Sequence, residues 1–555
     1  RLGTGGTVKL GDESGTGTTL TISQTAGDFT LDNAFAGSGT LAVSGNGSVQ
    51  AFGFDRVWTN PNDFTGTVDI RNGISMTVGG TNVTDVGAFN SANLAAADFN
   101  LGVGSTLIVA TQGSVVDTFD NLNVEEGGTV EFDGQLLTGA TTSELGRLQV
   151  HTLTGAGDIS LDIPTANGDV GREIAANDLF DHDQNSPFEA LITVESGAVS
   201  ADGWTLNGEK DSGSGLRQAV GTVANPDAYA IYNYGLSVSD TDNDGDTDSL
   251  GVKLDLKTVD IVSGHVLTFS KAGTLGARVT DSTGAGDLLI SGAAVVLTGE
   301  NDYEGLTRVT GAGAKLTVGD SGLGQTSGLV LESDTDFVNQ GTNRTGYLHA
   351  ESATIDLAGA DDVLYVTGTG DSRLVNGTIT GAGTLALQSG TLEVGGNLTD
   401  AGYSGRVNVG MADSGATLLL NGQNGIGTGV ISLNYGASKL QIRNSNNSVE
   451  LTNTVTGSGL IDVNLGGSGD LFEFNGNQGS AFSGTLRLSN AAYHLYNGAD
   501  KLLRAKLETA TGSLVVVHSD SVSDRTIGSL TLNGGVLDFG SMAEGSTNGQ
   551  IVVGS

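Results

Sequence analysis

The sequence predicts an all-β protein: a right-handed parallel β-helix (solenoid) of roughly 20 rungs, a rung being one turn of the helix, with an inserted subdomain that contains a β-hairpin. Glycine contributes 89 of 555 residues, whereas aromatic residues make up 5% and prolines number only 4, a composition that suits many turns better than several compact globular cores. Short apolar segments that alternate with polar residues recur along the chain. Two turn motifs also recur, about one rung apart.

The first repeated motif is a glycine, a small residue and a second glycine or polar residue ahead of a strand. It occurs at residues 37–41, 155–159, 284–288, 381–385 and 457–461. Glycine suits such turns because it adopts positive φ at no steric cost. The motif therefore predicts a corner that leads into a strand.

The second motif is an aromatic residue, any residue and a glycine. It occurs at Phe64, Tyr303, Tyr403 and Phe482. Each copy follows a copy of the first motif, by 27, 19, 22 and 25 residues. The two motifs therefore predict neighbouring rungs of a stacked array.

Other architectures fit the pattern less well. The glycines have no period of three, which excludes collagen, and no sustained apolar stripe of helical period is present. A β-propeller is the main alternative for glycine-rich repeats, but the irregular motif spacing and the low aromatic content disfavour it.

Charge and composition limit the partners and the surroundings. The formal net charge is −39, with a pI near 4.1, so nucleic acid and anionic membrane surfaces would be repelled. Without any cysteine, the chain has no zinc–cysteine site and suits export through an oxidising periplasm. No apolar run reaches the length of a transmembrane helix. We expect a soluble fragment whose targeting and anchoring segments lie outside it.

The prolines and aromatic residues divide the chain into three parts. Three of the four prolines, Trp204 and a cluster of three tyrosines fall between residues 164 and 256. We therefore predict an N-terminal β-helix over residues 1–163, an insertion with a hairpin and an acidic loop over 164–256, and a C-terminal β-helix over 257–555.

The acidic loop is the candidate metal site. Carboxylates occupy alternate positions at Asp240, Asp242, Asp244, Asp246 and Asp248. Such spacing around a glycine lets a short loop wrap Ca²⁺ with several oxygens. Gly251 stands where a helical calcium loop needs its glutamate, which excludes an EF-hand. A calcium site at a hairpin tip and a solvated acidic turn both remain open.

The candidate catalytic groups lack the partners that catalysis needs, so we expect that the protein is not an enzyme. Residues 319–322 read Gly-Asp-Ser-Gly, the core of a serine-protease nucleophile motif, but His151, His182 and His265 lack the surroundings of a general base. Asp361 and Asp362 form the best carboxylate pair for acid and base chemistry in a polysaccharide-degrading β-helix. No basic partner accompanies them. Trp58, Trp204, Tyr493 and Tyr496 could anchor a partner or fill the core.

A family resemblance adds class and location. The stretch from 279 to 320, with Thr-Gly-Ala-Gly-Asp-Leu-Leu-Ile at 283–290, Leu-Thr-Gly-Glu-Asn-Asp-Tyr-Glu-Gly at 297–305 and Leu-Thr-Val-Gly-Asp at 316–320, resembles the passenger-associated transport repeat of autotransporters. Weaker copies lie near Phe64, Tyr403 and Phe482. The whole pattern resembles self-associating adhesin passengers of the AIDA type.

The resemblance implies a β-helical passenger that is secreted through its own outer-membrane barrel. It would stay on the surface of a Gram-negative cell, or be released from it, and would mediate aggregation, biofilm formation or attachment. Two binding functions remain open: self-association with passengers on neighbouring cells, and binding of a host matrix protein or glycan. The membrane would be reached only through a C-terminal barrel absent from this fragment. The sequence assigns no ligand-binding residue and no cofactor other than the calcium considered above.

Overall fold

A computed structural model describes residues 5–11, 17–54, 63–78, 88–89, 94–110, 117–136, 145–163, 171–208, 212–242, 244–399, 402–411, 414–444, 447–475, 479–495, 504–517, 525–539 and 551–553. The chain divides into two compact units, residues 1–258 and 259–555. Strands account for 57% of the protein and helices for 2%.

Unit 1 is built on two sheets, between which successive strands alternate from residue 19 to residue 162. Sheet A contains, in spatial order, Gly171–Ile174, Ser212–Thr222, Asn225–Ser239, Ser249–Ile261, Phe188–Val194, Leu148–Gly155, Asp117–Val124, Asp98–Leu101, Thr67–Arg71, Thr40–Ser44 and Thr19–Ser23. Sheet B contains Thr205–Leu206, Asp158–Asp162, Thr129–Gln135, Thr106–Val109, Ile74–Val78, Gln50–Phe54 and Phe29–Leu31, with Ala88–Phe89 beside Ile74–Val78. Thr7–Lys9 pairs with Ala34–Ala36.

Unit 2 is built on four sheets. The longest, sheet C, contains Val266–Phe269, Asp287–Ser291, Leu306–Thr310, Gly328–Leu331, Leu348–Glu351, Asp371–Val375, Gly390–Gly395, Ala416–Asn421, Lys439–Arg443, Leu460–Asn464, Thr485–Ser489, Lys506–Thr509 and Ser529–Leu532. Sheet D contains Gly273–Leu275, Ala294–Leu297, Lys315–Val318, Asp336–Asn339, Thr354–Leu357 and Thr378–Gly381. Sheet E contains Thr342–Thr345, Val363–Val366, Thr384–Leu387, Arg406–Val409, Val430–Leu433 and Thr454–Gly457, and sheet F contains Val449–Leu451, Leu471–Phe474, Ala492–Leu495, Leu514–Val517 and Val536–Asp538. Arg278–Thr280 is a further strand, and Arg525–Ile527 pairs with Ile551–Val553.

Parallel pairing between rungs confirms the predicted β-solenoid of about 20 turns. Neighbouring strands of sheet C begin 19 to 26 residues apart, which agrees with the spacing of the sequence motifs. Within a strand such as Leu460–Asn464, the side chains of Ile461 and Val463 are buried and those between them are not. This alternation puts one row of apolar side chains inside each unit and the next row outside.

The two sequence motifs lie on top of each other in consecutive rungs. A Cβ on Gly405 would collide with the carbonyl oxygen of Gly383, and Gly66, Gly305 and Gly484 meet the preceding glycine turn in the same way. The aromatic side chain of each copy, such as Tyr403, is fully buried. The aromatic ring therefore fills the core while its glycine lets the backbones of two rungs approach closely.

Segment 164–256 departs from the parallel pattern. Ser212–Thr222 and Asn225–Ser239 pair antiparallel, and Phe188–Val194 pairs antiparallel with Ser249–Ile261. A 3₁₀ turn, Ala176–Asp178, and a short α-helix, Leu179–Asn185, precede them. The predicted hairpin strands, Asn225–Ser239 and Ser249–Ile261, are hydrogen-bonded neighbours in sheet A.

A buried hydrogen-bond chain attaches the short helix to sheet A. The Tyr232 hydroxyl donates to Oε1 of Gln218, at 2.8 Å, and lies 2.7 Å from Nδ1 of His182. Burial raises the pKa of the Tyr232 hydroxyl well above its ordinary value, so the group stays protonated and able to donate. No helix in the described part of the chain is long and apolar enough to cross a membrane.

Candidate functional site

The described carboxylates of the acidic loop fall into two groups. Asp240, Asp242 and Asp244 each offer an oxygen within 4.8 Å of the others. Asp248 instead accepts hydrogen bonds from the backbone N–H and the hydroxyl of Thr241. Asn243 lies outside the described residues. Of the five carboxylates predicted to act together, the structure thus brings three together.

Backbone groups hold the three carboxylates in place. The N–H of Gly245 donates to Oδ2 of Asp240, that of Asp244 to Oδ1 of Asp242, and that of Asp246 to Oδ1 of Asp244. The hydrogen bond from Asp244 lowers the pKa of Asp242, but desolvation and the neighbouring negative charges raise it by more in total, so its pKa lies above the ordinary value. Charge repulsion in this group is what a divalent cation would relieve.

We predict that Ca²⁺ raises the melting temperature of the hairpin and that Asp242→Asn abolishes the increase. Calorimetric titration of the 555-residue chain with CaCl₂ measures binding, and circular dichroism measures melting. Asp336→Asn is the control, since Asp336 is exposed and the structure shows no hydrogen bond to its carboxylate. Absence of heat and of a melting shift in the unsubstituted chain would contradict the calcium hypothesis.

The catalytic candidates lie at rung corners. The backbone of Ser321 donates to Thr342 and accepts from Gly324, and no described hydrogen bond joins the Ser321 hydroxyl to a histidine. Asp320 accepts the N–H of Thr342 through Oδ1, at 2.7 Å. Asp362 likewise accepts the N–H of Gly359, at 2.6 Å. The carboxylates of Asp320 and Asp362 therefore accept hydrogen bonds from backbone N–H groups at rung corners.

The two aromatic candidates that the structure describes are buried. Trp204 is 4% exposed and Tyr493 is 1% exposed, so both belong to the core. Trp58 and Tyr496 lie outside the described residues.

The outer face of sheet C carries a row of mostly polar and charged side chains that the sequence reasoning missed. Its central outward position is occupied, rung after rung, by Thr268, Leu289, Arg308, Val330, His349, Arg373, Glu393, Leu419, Gln441, Asp462, Arg487, Glu508 and Thr531. None of these residues is buried. We call this surface, with the outward residues beside it, the outer face of sheet C.

Ion pairs between neighbouring rungs follow this face. Arg308 pairs with Glu332 at 3.1 Å, Arg373 with Glu393 at 3.5 Å and Arg487 with Glu508 at 3.2 Å. Asp462 pairs with Lys439 at 3.4 Å and with Arg443 at 2.8 Å. The two cations and the hydrogen bonds they donate outweigh desolvation and keep the pKa of Asp462 below its ordinary value.

The strands of sheet C carry no net formal charge on an acidic protein. The thirteen strands contain six carboxylates and six lysines or arginines, whereas residues 259–555 contain 28 and 14. The surplus negative charge of unit 2 therefore lies outside these strands. Sequence periodicity could have located the outward positions, but the rung register that aligns them comes from the structure.

Unit 1 holds a polar cleft of about 670 Å³. Its walls come from Ser186, after the short helix, and from the strands Ser212–Thr222, Asn225–Ser239 and Ser249–Ile261. Its polar lining consists of hydroxyl and amide groups, the ammonium of Lys253 and the carboxylate of Asp255, together with the ring of Tyr234.

The fold and these surfaces define a parallel β-solenoid protein. No family model matches the chain. It is 31% identical over 424 residues, 73% of its length, to the uncharacterized protein YuaQ of Escherichia coli (strain K12), of which it covers 28%. It is 26% identical over 497 residues, 84% of its length, to the uncharacterized lipoprotein YdeK of the same strain, of which it covers 35%. The chain thus spans about a third of the length of these curated relatives.

Proposed function

We propose that this chain is the passenger region of a bacterial surface adhesin and that its copies self-associate through the outer face of sheet C. The observation that carries the proposal is the ion-paired face, whose strands carry no net formal charge, on a chain of net charge −39. Like-charged molecules repel each other most where the surplus charge lies. A face with balanced charge is where two copies can approach at the lowest electrostatic cost.

The contacts available on this face suit a weak, repetitive interaction. Side chains such as Arg308, Arg373 and Arg487 are each about half exposed, so each could exchange its intramolecular carboxylate for one on a second copy. A single surface ion pair contributes only about 0–1 kcal/mol. Many such pairs along one face, and many chains on one cell, add to a firm attachment.

The location is part of the same proposal. One relative is named a lipoprotein, and lipoproteins are attached to membranes, which supports a place in the cell envelope or at the cell surface. The resemblance of residues 279–320 to the autotransporter repeat supports export through an outer-membrane barrel.

We predict that reversing three charges on the face abolishes aggregation. The variant Arg308→Glu, Arg373→Glu and Arg487→Glu changes the strands of sheet C from neutral to a formal charge of −6. The full chain, displayed on a non-aggregating bacterium, should make a liquid culture settle, and the triple variant should prevent settling by charge repulsion.

The matched control is Lys315→Glu, Arg344→Glu and Arg406→Glu, which makes the same charge change on sheets D and E. Settling that persists in the sheet C variant, or is lost equally in both variants, would refute the assignment to sheet C. A displayed chain that binds immobilised matrix protein or glycan without settling would instead favour the second function, attachment to a host.

A further inference from the structure

The polar cleft of unit 1 is formed where the antiparallel strands depart from regular pairing. The register of Ser212–Thr222 against Asn225–Ser239 shifts between Ser214 and Leu216, and Gly215 between them has a φ of 88°. Such bulges bend a strand and redirect its side chains. The cleft therefore lies beside a β-bulge in sheet A.

Two further features shape its walls. Gly213 is the register partner of Tyr234, and a Cβ on Gly213 would collide with the Tyr234 ring, so the hydroxyl end of the ring lies against the glycine. Ser186 ends the short helix with a φ of 45°, a left-handed conformation that is costly for a residue other than glycine. Ser186 therefore has a strained backbone conformation at the edge of the cleft.

Four of the polar side chains that line the cleft are available to a ligand, whereas Asp255 is paired with Lys257 and the Ser237 hydroxyl donates to the carbonyl of Val238. Within the described residues, the structure shows no hydrogen bond or ion pair to the side chains of Ser186, Ser214, Asn233 or Lys253. Some outward polar groups elsewhere in unit 1 pair with the neighbouring rung, as Asn121 does with Asp98. The cleft thus places four unpaired polar side chains around one concave surface, where a polar ligand can reach them together.

The lining selects the chemical class of the ligand. Tyr234 and Leu236 are the aromatic and aliphatic side chains of the lining. Two such side chains offer too little apolar surface to bind a mainly apolar ligand. Residues 1–258 contain 35 carboxylates and 10 lysines or arginines, so an anionic ligand would be repelled. A sugar offers many hydroxyls that both donate and accept, and an apolar C–H face for an aromatic ring.

We propose that this cleft binds a neutral oligosaccharide. Asn233, Ser214 and Ser186 hydrogen-bond the sugar hydroxyls, the ammonium of Lys253 donates to a hydroxyl or ring oxygen, and Tyr234 contacts the apolar face. The site uses no residue of the outer face of sheet C, so it gives the chain a binding activity separate from self-association.

The test is calorimetric titration of the 555-residue chain with two sets of oligosaccharides. One set is neutral and ends in galactose, glucose, mannose or N-acetylglucosamine; the other contains sialylated and sulfated counterparts. At least one neutral sugar should bind, and the double variant Asn233→Ala and Lys253→Ala should weaken its binding about tenfold or more, the loss of one or two hydrogen bonds. Both side chains are exposed, so the variant should keep its melting temperature.

Asn225→Ala in the same strand and Lys315→Ala in unit 2 remove the same chemical groups away from the cleft and should bind as the unsubstituted chain does. Absence of neutral-sugar binding, binding of charged sugars alone, or equal weakening in the controls would overturn the proposal. The sheet C triple variant should still bind the sugar, and the cleft variant should still settle, so the failure of one proposal is distinguishable from the failure of the other.

Discussion

Replacing Gly405 with alanine is expected to lower the free energy of unfolding by about 3 kcal/mol, the upper end of the range for overpacking. The new Cβ would meet the carbonyl oxygen of Gly383 in the rung below and the ring of Tyr403. Tyr403 is fully buried, and its hydroxyl donates to the carbonyl of Arg406 at 2.8 Å. Neither the backbone nor the ring can move without breaking contacts between rungs.

Gly436→Ala is the matched control. A Cβ on Gly436 would have no atom within 4 Å, and neither glycine has a positive φ. The two substitutions therefore differ in steric surroundings alone, and the control should change stability by less than about 0.5 kcal/mol. Urea denaturation followed by circular dichroism compares them. Equal midpoints for both variants would show that the close approach of the rungs contributes little to stability.

Local sequence shows the two turn motifs and their distance along the chain, because glycine at a corner and an aromatic residue just before a strand each have a local physical reason. Which glycine lies against which is a property of the rung register. Spacings of 27, 19, 22 and 25 residues do not determine it. The structure adds that Gly383 and Gly405, like Gly39 and Gly66, lie in direct contact across rungs.

The candidate sites were predicted less completely than the turn motifs, because contacts between rungs cannot be deduced from local sequence. Local sequence placed Asp240, Asp242 and Asp244 in one loop, and a short loop necessarily keeps its side chains near each other. Arg308 and Glu332 are 24 residues apart, and no local pattern shows that their side chains meet at 3.1 Å. The outer face of sheet C depends entirely on such contacts between rungs.

A second large effect is expected at Asp281, which the sequence reasoning did not single out. Asp281 is 8% exposed, and its Oδ2 accepts the backbone N–H groups of Gly286, Glu304 and Gly305 at 3.1, 2.8 and 3.3 Å. Asp281 thus joins the glycine turn at 284–288 to the tyrosine turn at 303–305 in the next rung. At Tyr403, by contrast, the carbonyl of Gly381 accepts the corresponding N–H of Ser404.

Asp281→Ala should lower the free energy of unfolding by more than about 3 kcal/mol, because three N–H groups lose one acceptor and each unsatisfied buried donor costs about 1–3 kcal/mol. Asp281→Asn should cost less, since its amide oxygen can still accept. Asp336→Ala, at an exposed carboxylate with no hydrogen bond in the structure, controls for the loss of charge. Hydrogen exchange at Glu304 and Gly305 makes the test local: both amides should lose protection in Asp281→Ala and keep it in Asp336→Ala. If they stayed protected in both variants, the carboxylate of Asp281 would not be needed to hold these two rungs together, and the prediction would be refuted.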